Sequence, residues 1–170
     1  DIAVGSRVLA ELGVLDGFGH VSARHPAKSD HFLMARSLAP ALVTGDDLME
    51  FDLDGNAVDA RGRSVFLERF IHSEIYRARP DVMAVVHTHS PMATAVGCVV
   101  DELPAIHYQM LQLGGSVRVA PYATFGSEQL HVNVIEALEG HTAALMQIHG
   151  TLTCGTELES AVEATLLLEW

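Results

Sequence analysis

The segment Val85-Val86-His87-Thr88-His89-Ser90-Pro91 places the strongest constraint on how this chain folds. An apolar run leads into two histidines at positions i and i+2 and stops at a proline, which is typical of a strand that reaches its end. Because side chains alternate between the two faces of a strand, we expect His87 and His89 to point the same way. Two imidazoles side by side at a strand end form half of a metal site.

A third histidine lies far downstream, in Gln147-Ile148-His149-Gly150, where it also follows an apolar run and precedes a glycine. Three histidines at strand ends favour a catalytic metal site, because such sites keep one coordination position open for substrate. The alternative is that each histidine is an ordinary core or loop residue. The i, i+2 spacing of the first pair is the observation that favours the metal.

The composition predicts a single domain over residues 1–170, trimmed at both ends, because both ends fall inside helix-like or apolar patterns. The chain is 49% hydrophobic and 19% charged, which is a globular profile.

A net charge of −12, with only 10 lysines and arginines, argues against a nucleic-acid partner. No apolar run approaches the roughly 20 residues that cross a bilayer, so we expect no membrane partner. Without a signal-peptide pattern, we expect a cytoplasmic protein.

Hydrophobic periodicity predicts helices and strands that alternate, with several strands linked by hairpins. Helices are predicted over residues 2–13, 65–79, 91–100 and 127–139, and after a capping box formed by Thr156 and Glu159. Strands are predicted over residues 21–24, 31–35, 48–53, 82–89, 117–120 and 143–148. This order favours a mixed sheet between helical layers over a purely parallel sheet.

Two further residues are candidates for moving protons. Glu68 lies early on the predicted helix 65–79, where a carboxylate near a cation can serve as a fourth ligand or as a proton shuttle. A solvated helix face explains Glu68 more simply, because Glu68, His72 and Arg79 recur at helical spacing. Tyr108 is either a proton donor or a half-buried aromatic residue whose hydroxyl faces water.

A second polar group lies at turns early in the chain and consists of His20, Ser22, Arg24, Arg36 and Ser37. The preceding Gly17-Phe18-Gly19 turn could bring backbone N–H groups close to an anion. The guanidinium of Arg36 could hold a carboxylate in bidentate fashion. The alternative is a polar surface loop with an ordinary arginine.

Over nearly its whole length the chain resembles the class II aldolase/adducin family. The motifs that carry the resemblance are Gly19-His20-Val21-Ser22-Ala23-Arg24, Arg79-Pro80-Asp81, Ala84-Val85-Val86-His87-Thr88-His89, Pro104-Ala105-Ile106-His107-Tyr108, Ala120 to Gly126, and His149-Gly150. The resemblance implies a three-layer α/β/α sandwich with a central mixed, largely antiparallel sheet. It also implies a homotetramer with active sites at subunit interfaces, and one divalent metal ion per subunit, Zn²⁺ first and Mn²⁺ second.

The part of the chain from His87 onward is similar to the family's sugar-phosphate aldolases. This similarity implies that His87, His89 and His149 bind the metal. It implies that Glu68, which stands 19 residues before His87, is catalytic, and that Tyr108 is a second catalytic residue.

The first half departs from those aldolases in its anion pocket. Phe66 and Leu67 stand where the aldolases have two serines, and Arg36 and Ser37 stand where they have threonine and glycine. His20 replaces an asparagine. In this half the chain is similar to the family's decarboxylases, which act on hydroxylated aromatic, pyridine or muconic carboxylic acids. The resemblance therefore implies that His20, Arg36 and Ser37, together with Ser22, bind substrate.

We therefore expect a metal-dependent carbon–carbon lyase of carbohydrate catabolism that performs retro-aldol cleavage of a small hydroxy-carbonyl substrate, other than a simple sugar phosphate, through a metal-bound enolate. The alternative is a non-oxidative decarboxylase, in which Arg36 and Ser37 hold a second carboxylate and His20 or Glu68 protonates the carbanion. A third possibility, a scaffold without chemistry like the adducin members, is disfavoured because the metal histidines are intact.

Overall fold

Residues 1–124 and 126–170, which the computed structural model describes, form an eight-stranded sheet with α-helices on both faces. The helices are α1 Ile2–Glu11, α2 Arg69–Ala78, α3 Pro91–Gly97, α4 Glu128–Ala137 and α5 Leu158–Glu169. The strands are β1 His20–Arg24, β2 His31–Ala35, β3 Leu48–Asp52, β4 Ala84–Thr88, β5 Glu102–Leu103, β6 Val117–Ala120, β7 Ala143–Met146 and β8 Gly150–Gly155. Phe125, part of the Ala120 to Gly126 motif, lies outside the described residues.

The sheet brings the histidine strand to its centre. Its strand order is β3-β2-β1-β4-β8-β7-β6-β5, and in the described part of the chain each neighbouring pair is antiparallel except β6 and β7. Hairpin connections join β1 to β2 and β7 to β8, as antiparallel neighbours allow. The register sets His20 of β1 opposite His87 of β4, and Thr151 of β8 opposite Thr88.

Helices bury both faces of the sheet. Helices α2 and α4 pack on one face, over a core that includes Phe32, Phe51 and Ile75. Helices α1 and α5 cover the other face, where Leu9 and Val21 are buried, and α3 packs beside α5. The predicted three-layer α/β/α sandwich with a mixed, largely antiparallel sheet is confirmed. Among the described helices, none combines the length and the apolar character needed to span a lipid bilayer.

Strand β8 was not predicted, although it lies beside β4 at the centre of the sheet. Its sequence, Gly150 to Gly155, has too few apolar residues to read as a core strand. It is nevertheless buried throughout, because its hydroxyl groups find partners inside the protein. The hydroxyl of Thr151 lies 2.8 Å from that of Thr88, and the hydroxyl of Thr153 lies 2.6 Å from that of Thr165.

The helix predicted over residues 65–79 begins four residues late, at Arg69. Leu67, which the periodicity assigned to the apolar face, is 51% exposed. Glu68 is therefore the residue that precedes the helix, and it is 8% exposed rather than part of a solvated helix face. The simpler interpretation of Glu68 from helical spacing is wrong.

The predicted cap of the last helix is displaced by one residue. Glu157, rather than Thr156, is the N-cap of α5. The reciprocal partner is Ser160 rather than Glu159, and the Ser160 hydroxyl accepts a hydrogen bond from the Glu157 N–H at 3.3 Å. The Ser/Thr-x-x-Glu pattern therefore predicted the correct region for the start of the helix but the wrong pair of capping residues.

Candidate metal centre

Four side chains that can ligate a metal converge where β4 ends. One ligand atom from each of Glu68, His87, His89 and His149 lies within 4.8 Å of the other three. The Nε2 atoms of His87 and His89 are 3.1 Å apart, so the two side chains point the same way, as strand alternation predicts. Oε1 of Glu68 lies 2.7 Å from Nε2 of His149. The structure thus brings together all three predicted metal histidines and the predicted catalytic carboxylate.

Hydrogen bonds on the far side of two rings fix which nitrogen faces the cluster. Nδ1 of His87 donates to the backbone carbonyl of Thr151 at 2.9 Å, because that oxygen can only accept. Nδ1 of His89 lies 3.1 Å from the carboxylate of Asp16 and donates to it in the same way. Each ring in its neutral form therefore presents an unprotonated Nε2 to the cluster.

Asp16 was not among the residues that sequence patterns singled out, although an Asp-Gly pair ahead of a turn was a usable signal. One oxygen of its carboxylate accepts the backbone N–H groups of Phe18 and Gly19, at 2.8 and 2.9 Å. The anion held by this glycine-rich turn is therefore Asp16 itself. Burial raises the pKa of Asp16, but these hydrogen bonds and the one from His89 outweigh it and leave the pKa lowered.

His149 is presented by a tight turn between β7 and β8, because β7 ends at Met146 instead of continuing to residue 148. Ile148 adopts a left-handed backbone with φ of 58°, which is uncommon for a β-branched residue. A Cβ atom on Gly150 would lie 2.2 Å from the carbonyl oxygen of Thr88, so only glycine fits there. The turn therefore packs closely against the end of the histidine strand.

Glu68 is surrounded by imidazoles and is held ionised. Its carboxylate lies 3.5 Å from Nε2 of His87 and 3.4 Å from Nε2 of His20, in addition to its contact with His149. Burial alone raises the pKa of Glu68, but its contacts with the side chains of His149, His20 and His87 outweigh burial and leave the pKa well below its usual range. The group is therefore a carboxylate that can accept a proton or bind a cation.

His20 and Ser22 lie in a buried chain of polar groups behind Glu68. Nδ1 of His20 is 2.8 Å from Nε2 of His72, and Nδ1 of His72 is 2.6 Å from the hydroxyl of Ser22. That hydroxyl is 2.7 Å from the hydroxyl of Tyr76. Burial is the main cause that lowers the pKa of His20 to about 4 and the pKa of His72 well below its usual range.

The position of Ser22 bears on its predicted role in binding substrate. Its side chain is fully buried, and its hydroxyl is directed at His72 and Tyr76. His72 and Tyr76 were not predicted as site residues, although His72 follows Glu68 by four residues, the spacing that shares one helix face.

Three other predicted site residues lie outside the cluster. The side chain of Arg36 pairs with Asp47, with Nε 2.8 Å from Oδ1, and Ser37 is exposed with its N–H bonded to the carbonyl of Ser64. Tyr108 is 74% exposed, and the nearest ring is that of His107, 4.8 Å away between centroids.

The donor set fits a divalent cation. With their Nδ1 atoms donating elsewhere, His87 and His89 direct two nitrogen lone pairs at each other across 3.1 Å, an arrangement that a shared cation relieves. A third imidazole and a carboxylate complete a set of nitrogen and oxygen ligands suited to zinc and to other first-row metals.

Comparisons with known proteins agree with this geometry. The family described as Class II Aldolase and Adducin N-terminal domain matches residues 1–170. A 5-methylthioribulose-1-phosphate/5-deoxyribulose-1-phosphate aldolase from Rhodospirillum rubrum is 33% identical over 175 residues, covering 97% of this chain and 79% of the relative. The decarboxylase tropJ of Talaromyces stipitatus is 40% identical over 129 residues, covering 73% of this chain and 47% of that protein.

A solved structure extends the comparison to three dimensions. An L-fuculose 1-phosphate aldolase superposes with a TM-score of 0.91 at 30% identity, covering 99% of this chain and 79% of that one. Three findings support a lyase that acts on small molecules. They are the match of the family over the whole chain, the identity to an aldolase relative and this superposition. The chain belongs to the class II aldolase/adducin family.

Proposed function

We propose that this chain is a divalent-metal-dependent lyase that cleaves a carbon–carbon bond of a small hydroxy-carbonyl substrate by a retro-aldol reaction. The observation that carries the proposal is the convergence of His87, His89 and His149 with an ionised Glu68. The proposed ligands are the three histidines, with Zn²⁺ as the first candidate metal and Mn²⁺ as the second. The aldolase names of the relatives support the same reaction class.

A cation held by the three histidines would act as a Lewis acid toward the negative charge that develops on a substrate oxygen. Glu68 supplies the proton chemistry. Its carboxylate accepts a proton and returns it to the carbon that loses its bonded partner when the carbon–carbon bond breaks. Because the group is 8% exposed and surrounded by imidazoles, bulk water does not compete freely for that proton.

Tyr108 is proposed to help move the proton that the substrate hydroxyl loses when its oxygen becomes the carbonyl of the departing aldehyde. Its exposure in a single chain is consistent with a site that a second copy completes, so the proposal includes a homotetramer with active sites between subunits. A variant Tyr108→Phe should then lose turnover while keeping its metal. Unchanged turnover would remove Tyr108 from the mechanism.

A second candidate is a metal-dependent, non-oxidative decarboxylase of a hydroxylated aromatic, pyridine or muconic carboxylate. It is favoured by the 40% identity to the decarboxylase tropJ and by Arg36, a cation suited to a carboxylate. In this reaction His20 or Glu68 would protonate the carbanion left after loss of carbon dioxide.

Product detection by NMR separates the two candidates. Protein loaded with zinc, and separately with manganese, is incubated with one pool of ketose phosphates and free ketoses, and with another of hydroxylated aromatic and pyridine carboxylates. Aldehyde and ketone products from the first pool are expected. Bicarbonate release from the second pool alone would overturn the retro-aldol proposal and support the decarboxylase, whereas products from neither would contradict both.

A further inference from the structure

A chain of hydrogen bonds leads from the edge of the metal centre into the protein. It joins His20 through His72 and Ser22 to Tyr76, with each of its three contacts between 2.6 and 2.8 Å, and Nε2 of His20 faces the carboxylate of Glu68 at 3.4 Å. The four side chains that it joins are each at most 2% exposed. Because water does not reach them, the contacts among these side chains decide which ring nitrogens carry a proton.

The direction of these bonds is set at the Glu68 end. A carboxylate only accepts hydrogen bonds, so the nitrogen that faces it, Nε2 of His20, carries the proton. Nδ1 of His20 is then an acceptor, which requires a proton on Nε2 of His72. Nδ1 of His72 in turn accepts from the hydroxyl of Ser22.

At the other end of the chain, the hydroxyls of Ser22 and Tyr76 are 2.7 Å apart, and either oxygen can donate. The direction set at the Glu68 end therefore decides that Tyr76 donates its proton to Ser22. The hydroxyl of Ser22 accepts that proton and gives its own to His72. The opposite direction would leave the lone pair of His20 Nε2 facing a carboxylate, which is repulsive.

His20 is therefore the opposite tautomer to the two strand histidines. His87 and His89 carry their protons on Nδ1 and direct a lone pair into the centre, whereas His20 directs an N–H toward it. At 3.4 Å from Glu68, that N–H has no well-aligned acceptor among the described residues, although its nitrogen is completely buried. A buried N–H group without a hydrogen-bond partner is unfavourable, so we expect a bound molecule to supply the acceptor.

We propose that His72, held by the hydroxyl of Ser22, is a positioning residue that fixes His20 as an Nε2–H donor for an oxygen of the bound substrate, and that keeps His20 out of the metal's ligand set. The proposal rests on the lyase function above for the existence of a substrate. The tautomer itself does not depend on turnover, so the two can fail separately.

The test is the ¹⁵N NMR spectrum of the histidine side chains in zinc-loaded protein, which distinguishes a protonated from an unprotonated ring nitrogen. Signals of His20 and His72 are assigned by their disappearance in His20→Gln and His72→Gln. Both rings should be protonated at Nε2 and not at Nδ1. A proton on Nδ1 of His20, or a zinc-bound Nε2, would overturn the proposal without any variant having to be active.

Two variants that each remove one buried hydroxyl test the positioning. Ser22→Ala removes the donor to His72, so both rings should become mixtures of tautomers. The matched control Tyr76→Phe leaves the Ser22 hydroxyl free to donate to His72, so the spectrum of His20 should be unchanged. If Ser22→Ala and Tyr76→Phe gave the same His20 spectrum, the Ser22 hydroxyl would have no specific role in fixing the tautomer, and the positioning would be overturned.

Activity provides a separate arm. His20→Leu, which removes the donor, should lower kcat about 100-fold or more, the usual effect of losing one donor to a developing oxyanion. His20→Gln retains an amide N–H and should recover part of that loss. If the wild-type tautomer is as expected but no pool of substrates turns over, the positioning holds and the proposed function fails.

Discussion

The inner and outer parts of the candidate site are built on different kinds of structure. His87 lies on a central strand and His89 directly follows it, and their rings are oriented by the backbone carbonyl of Thr151 and the carboxylate of Asp16. Arg36 and Tyr108 lie on segments outside strands and α-helices, and Tyr108 is 74% exposed. The inner part is therefore assembled within one chain, whereas the roles proposed for Arg36 and Tyr108 depend on a bound substrate or on the proposed second subunit.

The largest effect should come from the inner part. His87→Ala should abolish stoichiometric zinc binding and lower kcat/KM about 10,000-fold, because Lewis-acid catalysis contributes several kcal/mol. Metal content by elemental analysis and steady-state kinetics provide the measurement. The control His25→Ala, in the turn between β1 and β2, should bind zinc normally. Full metal content in His87→Ala would remove the basis of the site.

Glu68→Gln should lower kcat about 1,000-fold while three histidines retain the metal, because the amide keeps the shape and loses the proton chemistry. Kinetics and metal analysis of the same preparation separate the two effects. Glu74→Gln, on the outer side of α2 where Glu74 pairs with Arg77, is the matched control and should behave as wild type. Loss of metal together with activity would make Glu68 a ligand instead of a proton carrier.

Asp16→Asn should weaken zinc binding about 10- to 100-fold, the usual cost of losing a carboxylate that orients a ligand histidine. Competition with a chelator of known affinity measures this change. Asp54→Asn is the comparison, because Asp54 is an exposed partner of Arg77 and is not a member of the histidine cluster. Equal affinities in the two variants would mean that the contact between Asp16 and His89 does not orient the ring.

Arg36→Ala tests the outer part and should weaken binding of a carboxylate inhibitor about tenfold, as expected for one charge-assisted hydrogen bond. Inhibition constants for a carboxylate and for an uncharged analogue give the comparison. The exposed Arg61, paired with Asp59, provides the control variant Arg61→Ala. An unchanged constant for the carboxylate would remove the basis of the decarboxylase candidate.

The smallest effect concerns the backbone that presents His149. Ile148→Asn should raise the free energy of unfolding by about 1 kcal/mol, because asparagine tolerates the left-handed conformation that isoleucine resists. Urea denaturation is the measurement. Val99→Asn, an exposed position where the left-handed backbone is absent, should change stability by less than about 0.5 kcal/mol. A loss of stability in Ile148→Asn would show that the turn is unstrained.

Sequence patterns were informative where local spacing and burial act together. The i, i+2 spacing of His87 and His89 predicted that their side chains point the same way. The alternation of apolar and polar residues predicted the hairpin of β1 and β2. Patterns failed where a distant partner decides the outcome. Strand β8 is buried because its threonine hydroxyls pair with Thr88 and Thr165, 63 and 12 positions away, and Asp16 meets His89 across 73 positions. No local period encodes such contacts.

The same limit applies to the residues predicted to bind substrate. His20 and Ser22 share one face of β1 at i, i+2 spacing, yet one reaches the metal centre and the other turns its hydroxyl toward α2. Only the position of His72 between them accounts for this division, and that position depends on how α2 packs against the sheet. Tertiary packing therefore assigns roles that the sequence could only group together.

The spread of the cluster along the chain has a consequence for folding. His87 and His149 are 62 positions apart, so a cation that joins them would find its ligands assembled only after much of the domain has formed. Such an ion binds the folded chain and not the unfolded one, and at 100 times its dissociation constant it adds about 2.7 kcal/mol to the stability. The supply of metal would then set how much folded protein is present, as well as how fast each molecule works.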